Sequence, residues 1–202
     1  MTLTAWLTIV GICTLGAMSP GPSLAVVLKH TIGGNRRQGM TTAVMHGFGV
    51  GLYAFACISG LAVVILTSKS LFTVFQWCGA LYLAWLGLKG LRSRSNPNQT
   101  LPAIETEDAA RDGFMIVFLN PKIAVFFIAL FSQVVGTDTT LTGKFAYAST
   151  AMIIDGSWYV LVAWLFSNPK WLVLLQQKAV WIDKIFGVVL LSLAGKLAVD
   201  LM

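Results

Sequence analysis

Whole stretches of this chain carry no charge. No Asp, Glu, Lys or Arg occurs from Leu3 to Leu28 or from Met40 to Leu66. The hydrocarbon core of a bilayer is about 30 Å thick and takes roughly 20 apolar residues per helical crossing. Divided at that length, the sequence gives six segments: Leu3 to Leu28, Met40 to Leu66, Ser70 to Leu91, Phe114 to Val135, Lys144 to Phe166, and about Val180 to Leu201. In lipid each backbone polar group must find its partner within the segment, which selects helices. The apolar runs do not alternate, which excludes a β-barrel. The expected fold is all-α, a polytopic membrane protein of six transmembrane helices. Only 11% of the 202 residues are charged, too few to cover a soluble surface, so an ordinary cytosolic enzyme is excluded.

The net charge of +6 does not point to nucleic acid, because the basic residues lie scattered in short connections and form no stripe. Orientation in the bilayer accounts for them. With the N-terminus outside, the inner connections hold Lys29, Arg36, Arg37, Lys89, Arg92, Arg94, Arg111, Lys170, Lys178 and Lys184, and the outer side holds only Lys69, Lys144 and Lys196. Both termini are therefore expected to be periplasmic and the 92–113 loop cytoplasmic. Met1 to Trp6 lacks the basic start of a signal peptide, so the first span is read as retained. Cys13, Cys57 and Cys78 are odd in number, lack metal-ligand spacing and sit in apolar runs, so no disulfide, metal or other cofactor is expected.

The organisation is one domain, 1–202, made of two three-helix halves, 1–91 and 114–202, joined by the loop 92–113. Halves with an odd number of spans insert in opposite senses. Pro22-Ser23-Leu24-Ala25-Val26 can be laid over Pro121-Lys122-Ile123-Ala124-Val125, keeping Pro, Ala and Val identical. Matched proline-broken segments are the pattern of a 3+3 inverted repeat with a binding site at the midplane. These boundaries place Pro22 late in the first span and Pro121 early in the fourth, whereas an inverted pair needs both near the centre.

Polar residues inside the apolar segments are the candidate site. Ser19-Pro20-Gly21-Pro22 removes two backbone donors and is expected to break the first helix. Freed carbonyls there can accept from an ammonium, and the helix restarting at Ser23 can offer N–H groups to a carboxylate; the alternative is a simple packed kink. Asn120-Pro121-Lys122 breaks the fourth span and adds a cation. Lys122 could snorkel to the headgroups, hold a substrate carboxylate, or balance an intramembrane acid. Asp155, near the centre of the fifth span, is that acid, either a structural hydrogen-bonding group or a carboxylate that exchanges a proton for a substrate ammonium. His46 opens the glycine-rich run Gly47-Phe48-Gly49-Val50-Gly51 and could relay protons, touch substrate or simply pack.

Four motifs in order, Ser19-Pro20-Gly21-Pro22, Gly33-Gly34-Asn35-Arg36-Arg37-Gln38-Gly39, Trp77 to Gly87, and Leu119-Asn120-Pro121-Lys122 followed by Phe126-Phe127, resemble the LysE/RhtB family of bacterial amino-acid exporters. The resemblance spans nearly the whole chain. It implies a secondary active exporter of small amino acids in the bacterial cytoplasmic membrane, driven by the proton motive force. Its pattern carries over onto Pro20, Gly21, Pro22, Asn120, Pro121, Lys122 and Asp155. Ser23 stands where many relatives have Asn, and His46 where a small or apolar residue is expected, so both bear on the substrate.

The working expectation is amino acid/proton antiport by alternating access, with broken backbone at Pro20 to Pro22 and at Pro121 holding the ends of a zwitterion. Its partners are a small amino acid, protons and the lipid bilayer; small-residue faces permit a homodimer without requiring one. An intramembrane enzyme lacks any nucleophile or metal motif here. A thiol-disulfide conduit needs cysteines beside the broken helices, and none of the three adjoins a proline. A passive channel is suggested by the second Asn-Pro-Lys at 168, but that copy is expected in a loop.

Overall fold

The computed structural model describes residues 3–19, 21–92, 108–136 and 139–201. Among these every regular element is helical: α1 (Leu3–Met18), α2 (Pro22–Lys29) continued by a π-helical turn (His30–Gly34), α3 (Arg36–Thr67), α4 (Lys69–Leu91), α5 (Ala109–Leu119), α6 (Pro121–Phe131), α7 (Leu141–Phe166) and α8 (Pro169–Asp200). The chain is an all-α polytopic membrane protein. Pro20 and residues 93–107, most of the expected cytoplasmic loop, lie outside the described residues.

Local chemistry fixes the helix starts. The side chains of Asn35, Ser68, Asp108, Asn120 and Thr140 each accept a backbone N–H of the turn they open. Such caps satisfy donors that have no partner inside the helix, a need that is acute in lipid. Pro22 and Pro121 stand at the first helical position, where a missing N–H does no harm.

Two expected boundaries move. The fourth span does not begin at Phe114: the Asp108 cap starts α5 at Ala109, and Arg111 and Asp112, taken for loop residues, lie on the helix. Asn120-Pro121 consequently divides two helices of 11 residues each and is central in its span. The first span also runs on, through the π-helical turn to Gly34, so its break too divides two arms; α1 alone is about 24 Å long. The misplacement of the two prolines relative to an inverted pair was a boundary error. Similarly, Asn168-Pro169 does not lead into a loop. Pro169 opens α8, which places Lys170, Lys178 and Lys184 on a helix rather than in a connection.

Both breaks are bends, 59° between α1 and the α2 arm and 58° between α5 and α6. Among the described residues α3, α4 and α7 are each long and apolar enough to cross a membrane, and the two bent pairs raise the count to five. The count of six rests on α8, 32 residues long but interrupted by Asp183, Lys184 and Lys196.

The main helix contacts are α3 on α7, α4 on α8, α5 on α3 and α1 on α7. Glycines set the closest approaches. A Cβ on Gly47 would lie 2.7 Å from the Gly156 Cα, so α3 and α7 touch backbone to backbone beside His46 and Asp155. Ile9, Ile58, Leu83, Leu130, Phe131 and Leu190 are fully buried between the helices, while Leu66, Leu81 and Trp181 lie exposed on the outside, as lipid-facing residues do. At one end of the bundle Lys29 and His30 meet Asp112 at 3.2 and 2.9 Å, and Arg36 donates to Ser167 at 3.2 Å. Three connections therefore share an end, as alternating crossings require.

Candidate functional site

The bends turn both broken segments toward one internal cavity. From the first break it is lined by Ser19, Gly21 and Ser23, from the second by Asn120 and Lys122, from α3 by His46 and from α7 by Asp155. Seven of the ten residues singled out in the sequence thus meet in one place. Pro22 and Pro121 are not among the lining residues; each opens the helix behind its lining neighbour. Pro20 lies outside the described residues.

The second break is held by its own side chain. Asn120 is extended at φ −94° and ψ 102°, and its Oδ1 accepts from the Lys122 N–H at 3.1 Å. Asn120 Nδ2 donates across to Ser23 Oγ at 3.4 Å, which ties the two breaks together. At the first break Gly21 precedes α2 with no side chain to cap it. That opening is occupied from above: a Cβ on Gly21 would lie 3.5 Å from Lys122 Nζ.

Lys122 does not snorkel. Its ammonium donates to the Ser19 hydroxyl and sits 4.8 Å from the centre of the Phe186 ring, a cation–π contact. Its electrostatic neighbours are Asp183 on α8 and, repulsively, Lys89 on α4. The acid expected to balance Lys122 was Asp155; the acid whose charge acts on it is Asp183.

Asp155 faces His46 instead, with Oδ2 2.6 Å from Nδ1. His46 is 1% exposed and Asp155 14%, so the pair is nearly withdrawn from solvent yet open on its carboxylate side. Tyr159, one turn beyond Asp155, packs edge-on against the imidazole with ring centres 4.9 Å apart and is within side-chain hydrogen-bonding reach of Ser23. The cavity has an acidic wall on α7 and a basic one on α6.

The remainder of the lining is small or aromatic: Cys13, Gly16, Ala17, Phe126 and Phe186 among others. Space reachable by the centre of a water molecule is about 60 Å³, room for a few waters at roughly 10–15 Å³ each. Cys13, set aside in the sequence as a small hydrophobe, therefore borders the cavity. Tyr159, Phe186 and Asp183 were also missed. A signal existed: Tyr159 follows Asp155 by four residues and Phe186 follows Asp183 by three, spacings that share a helix face.

Comparison with known proteins agrees with this architecture. The model of the LysE type translocator family matches residues 14–201. The threonine efflux protein of Escherichia coli (strain K12) is 27% identical over 191 residues, covering 92% of this chain and 93% of its own length. The leucine efflux protein of Enterobacter sp. (strain 638) is 28% identical, covering 82% and 77%. An uncharacterised membrane protein of Escherichia coli (strain K12), YahN, is 25% identical, covering 79% and 74%. No solved structure matches the chain.

Proposed function

The chain belongs to the LysE type translocator family, which makes it a membrane translocator and not an enzyme, and from that premise we propose that it exports a small amino acid in exchange for protons by alternating access. The relatives named for threonine and leucine efflux support the cargo class. In this reading the protein lies in the bacterial cytoplasmic membrane, with the basic connections inside and both termini periplasmic.

One observation carries the proposal: a cation and a carboxylate, from opposite walls, border a small cavity between two broken helices. A zwitterion needs both. Its carboxylate fits beside Lys122, over Gly21, where the uncapped start of α2 adds the positive end of a helix dipole. Its ammonium then faces Asp155. Near mid-membrane, a charged ligand that arrives with its counter-charges already in place avoids most of the penalty of burial. The limited volume and aromatic walls favour a small side chain. Asp155 exchanges the ammonium for a proton on the return step, which couples the two fluxes.

The test is efflux from preloaded membrane vesicles, with threonine and leucine as cargo, with and without an imposed pH gradient. The proposal expects a gradient to drive export against a concentration difference; movement that is only downhill and indifferent to the gradient would reject antiport. Asp155→Asn should insert normally and lose gradient-driven export, and unchanged export by this variant would reject its coupling role.

A further inference from the structure

Asp155 is not alone when it meets its proton. Its Oδ2 lies 2.6 Å from His46 Nδ1, and the other imidazole nitrogen, Nε2, is buried without a hydrogen-bond partner. A histidine in that position is committed to one conversation. Every change in its charge is felt by the carboxylate, and among the described residues no group bonds its second nitrogen. The pair also spans α3 and α7, the helices whose backbones touch at Gly47 and Gly156, so it bridges two helices at a close backbone approach.

We propose that His46 and Asp155 hold the coupling proton as one unit, with His46 setting the pH range over which export is driven. This rests on the exporter reading. Without the proton the pair is a neutral imidazole beside a carboxylate, and the negative charge is available to the substrate ammonium. The neutral ring facing the carboxylate carries its hydrogen on Nδ1, so the coupling proton adds at Nε2; the pair is then an imidazolium beside a carboxylate whose charge the ring now balances, and the ammonium is released. The proton and the ammonium compete for one carboxylate, one for one. The proton-loaded pair is electrically neutral by itself, and the carboxylate of the cargo-loaded pair, whose zwitterion brings no net charge, is balanced by Lys122 in the same cavity.

A carboxyl by itself ordinarily titrates near pH 4 and an imidazole near about 6.5. Imidazole is the side chain whose ordinary charge change falls nearest neutral pH, which is the chemical reason for giving the histidine this part. The other groups facing the pair are consistent with this. Tyr159 from α7 and Cys13 from α1 are groups that ordinarily ionise only in the alkaline range, and Lys122 from α6 borders the same cavity. From α2 the cavity receives only the hydroxyl of Ser23. The nearest acid of α5, Asp112, is engaged with Lys29 and His30 at the end of the bundle.

Two measurements test the proposal. In the first, purified wild-type protein in weakly buffered detergent solution is mixed with threonine and released protons are read with a pH dye. About one proton per bound amino acid is expected near neutral pH; binding without proton release would overturn the assignment, whatever any variant does. In the second, His46→Asn keeps a donor at the position of Nδ1 but cannot titrate. It should still exchange internal for external threonine, while gradient-driven export at neutral pH falls at least about tenfold and its pH midpoint moves toward acid by on the order of one unit or more. A wild-type pH profile in His46→Asn would assign the histidine to packing. Failure of the wild type to move threonine or leucine at all would instead reject the exporter reading beneath it.

Discussion

At the first break Pro22 opens α2 with Gly21 before it and Ser23 after it; at the second Pro121 opens α6 with Asn120 before it and Lys122 after it. The backbone event is the same, a bend of nearly equal size at a proline in the first helical position. The side chains divide the labour. Asn120 caps its own helix and reaches across to Ser23, and Lys122 supplies the charge. The first break has no cap and no charge, and its glycine leaves the space that the Lys122 ammonium overlooks. A similar bend at each proline thus carries a charged side chain at the second break and leaves open space beside that charge at the first. Alignment of the two segments by their prolines makes this plain, because Gly21 then answers to Asn120 and Ser23 to Lys122.

This asymmetry orders the expected effects of substitution. Lys122→Met removes the only charge at either break and should be the most damaging, weakening binding of the exported amino acid by about 2–3 kcal/mol, roughly 30- to 150-fold, with insertion preserved. Equilibrium binding to the purified variant checks it, and wild-type affinity would erase the distinction between the breaks. Asn120→Ala removes the α6 cap and the link to Ser23 and should lower stability by about 1 kcal/mol, seen as a lower thermal midpoint in detergent. Gly21→Ala should be the mildest. The backbone there is extended at φ 173°, which any residue adopts, and the added methyl would sit in ordinary contact with Lys122 Nζ at 3.5 Å. Its stability should stay within about 0.5 kcal/mol of wild type. A large destabilisation would show that the first break is as tightly specified as the second.

Much of this was legible in the sequence because lipid is an intolerant solvent. Uncharged runs from Leu3 and Met40 had to be helices, and Pro22 and Pro121 were expected to interrupt the first and fourth spans. The errors fell where polar residues belong to helices. Arg111 and Asp112 looked like loop, yet Asp108 caps a helix that contains them, and the second break consequently seemed off-centre. Lys178, Asp183 and Lys184 concealed the first part of α8 in the same way. Pairings over long separations were not legible at all. His46 and Asp155 are 109 residues apart, and no periodicity within one sequence announces that α3 and α7 lie side by side. The preference of Lys122 for the surroundings of Asp183 was hidden for the same reason.

The account stands on the cavity between the breaks being where the amino acid binds. In a background without Cys13, Cys57 and Cys78, a cysteine placed at Ser23 would be labelled with a small thiol reagent in membranes, with Ser70→Cys, exposed beside the α3–α4 connection, as the reference. Threonine or leucine, whichever is exported, should slow labelling at 23 severalfold and leave position 70 unchanged. Labelling at 23 that ignores saturating cargo would place the binding site elsewhere and contradict the account.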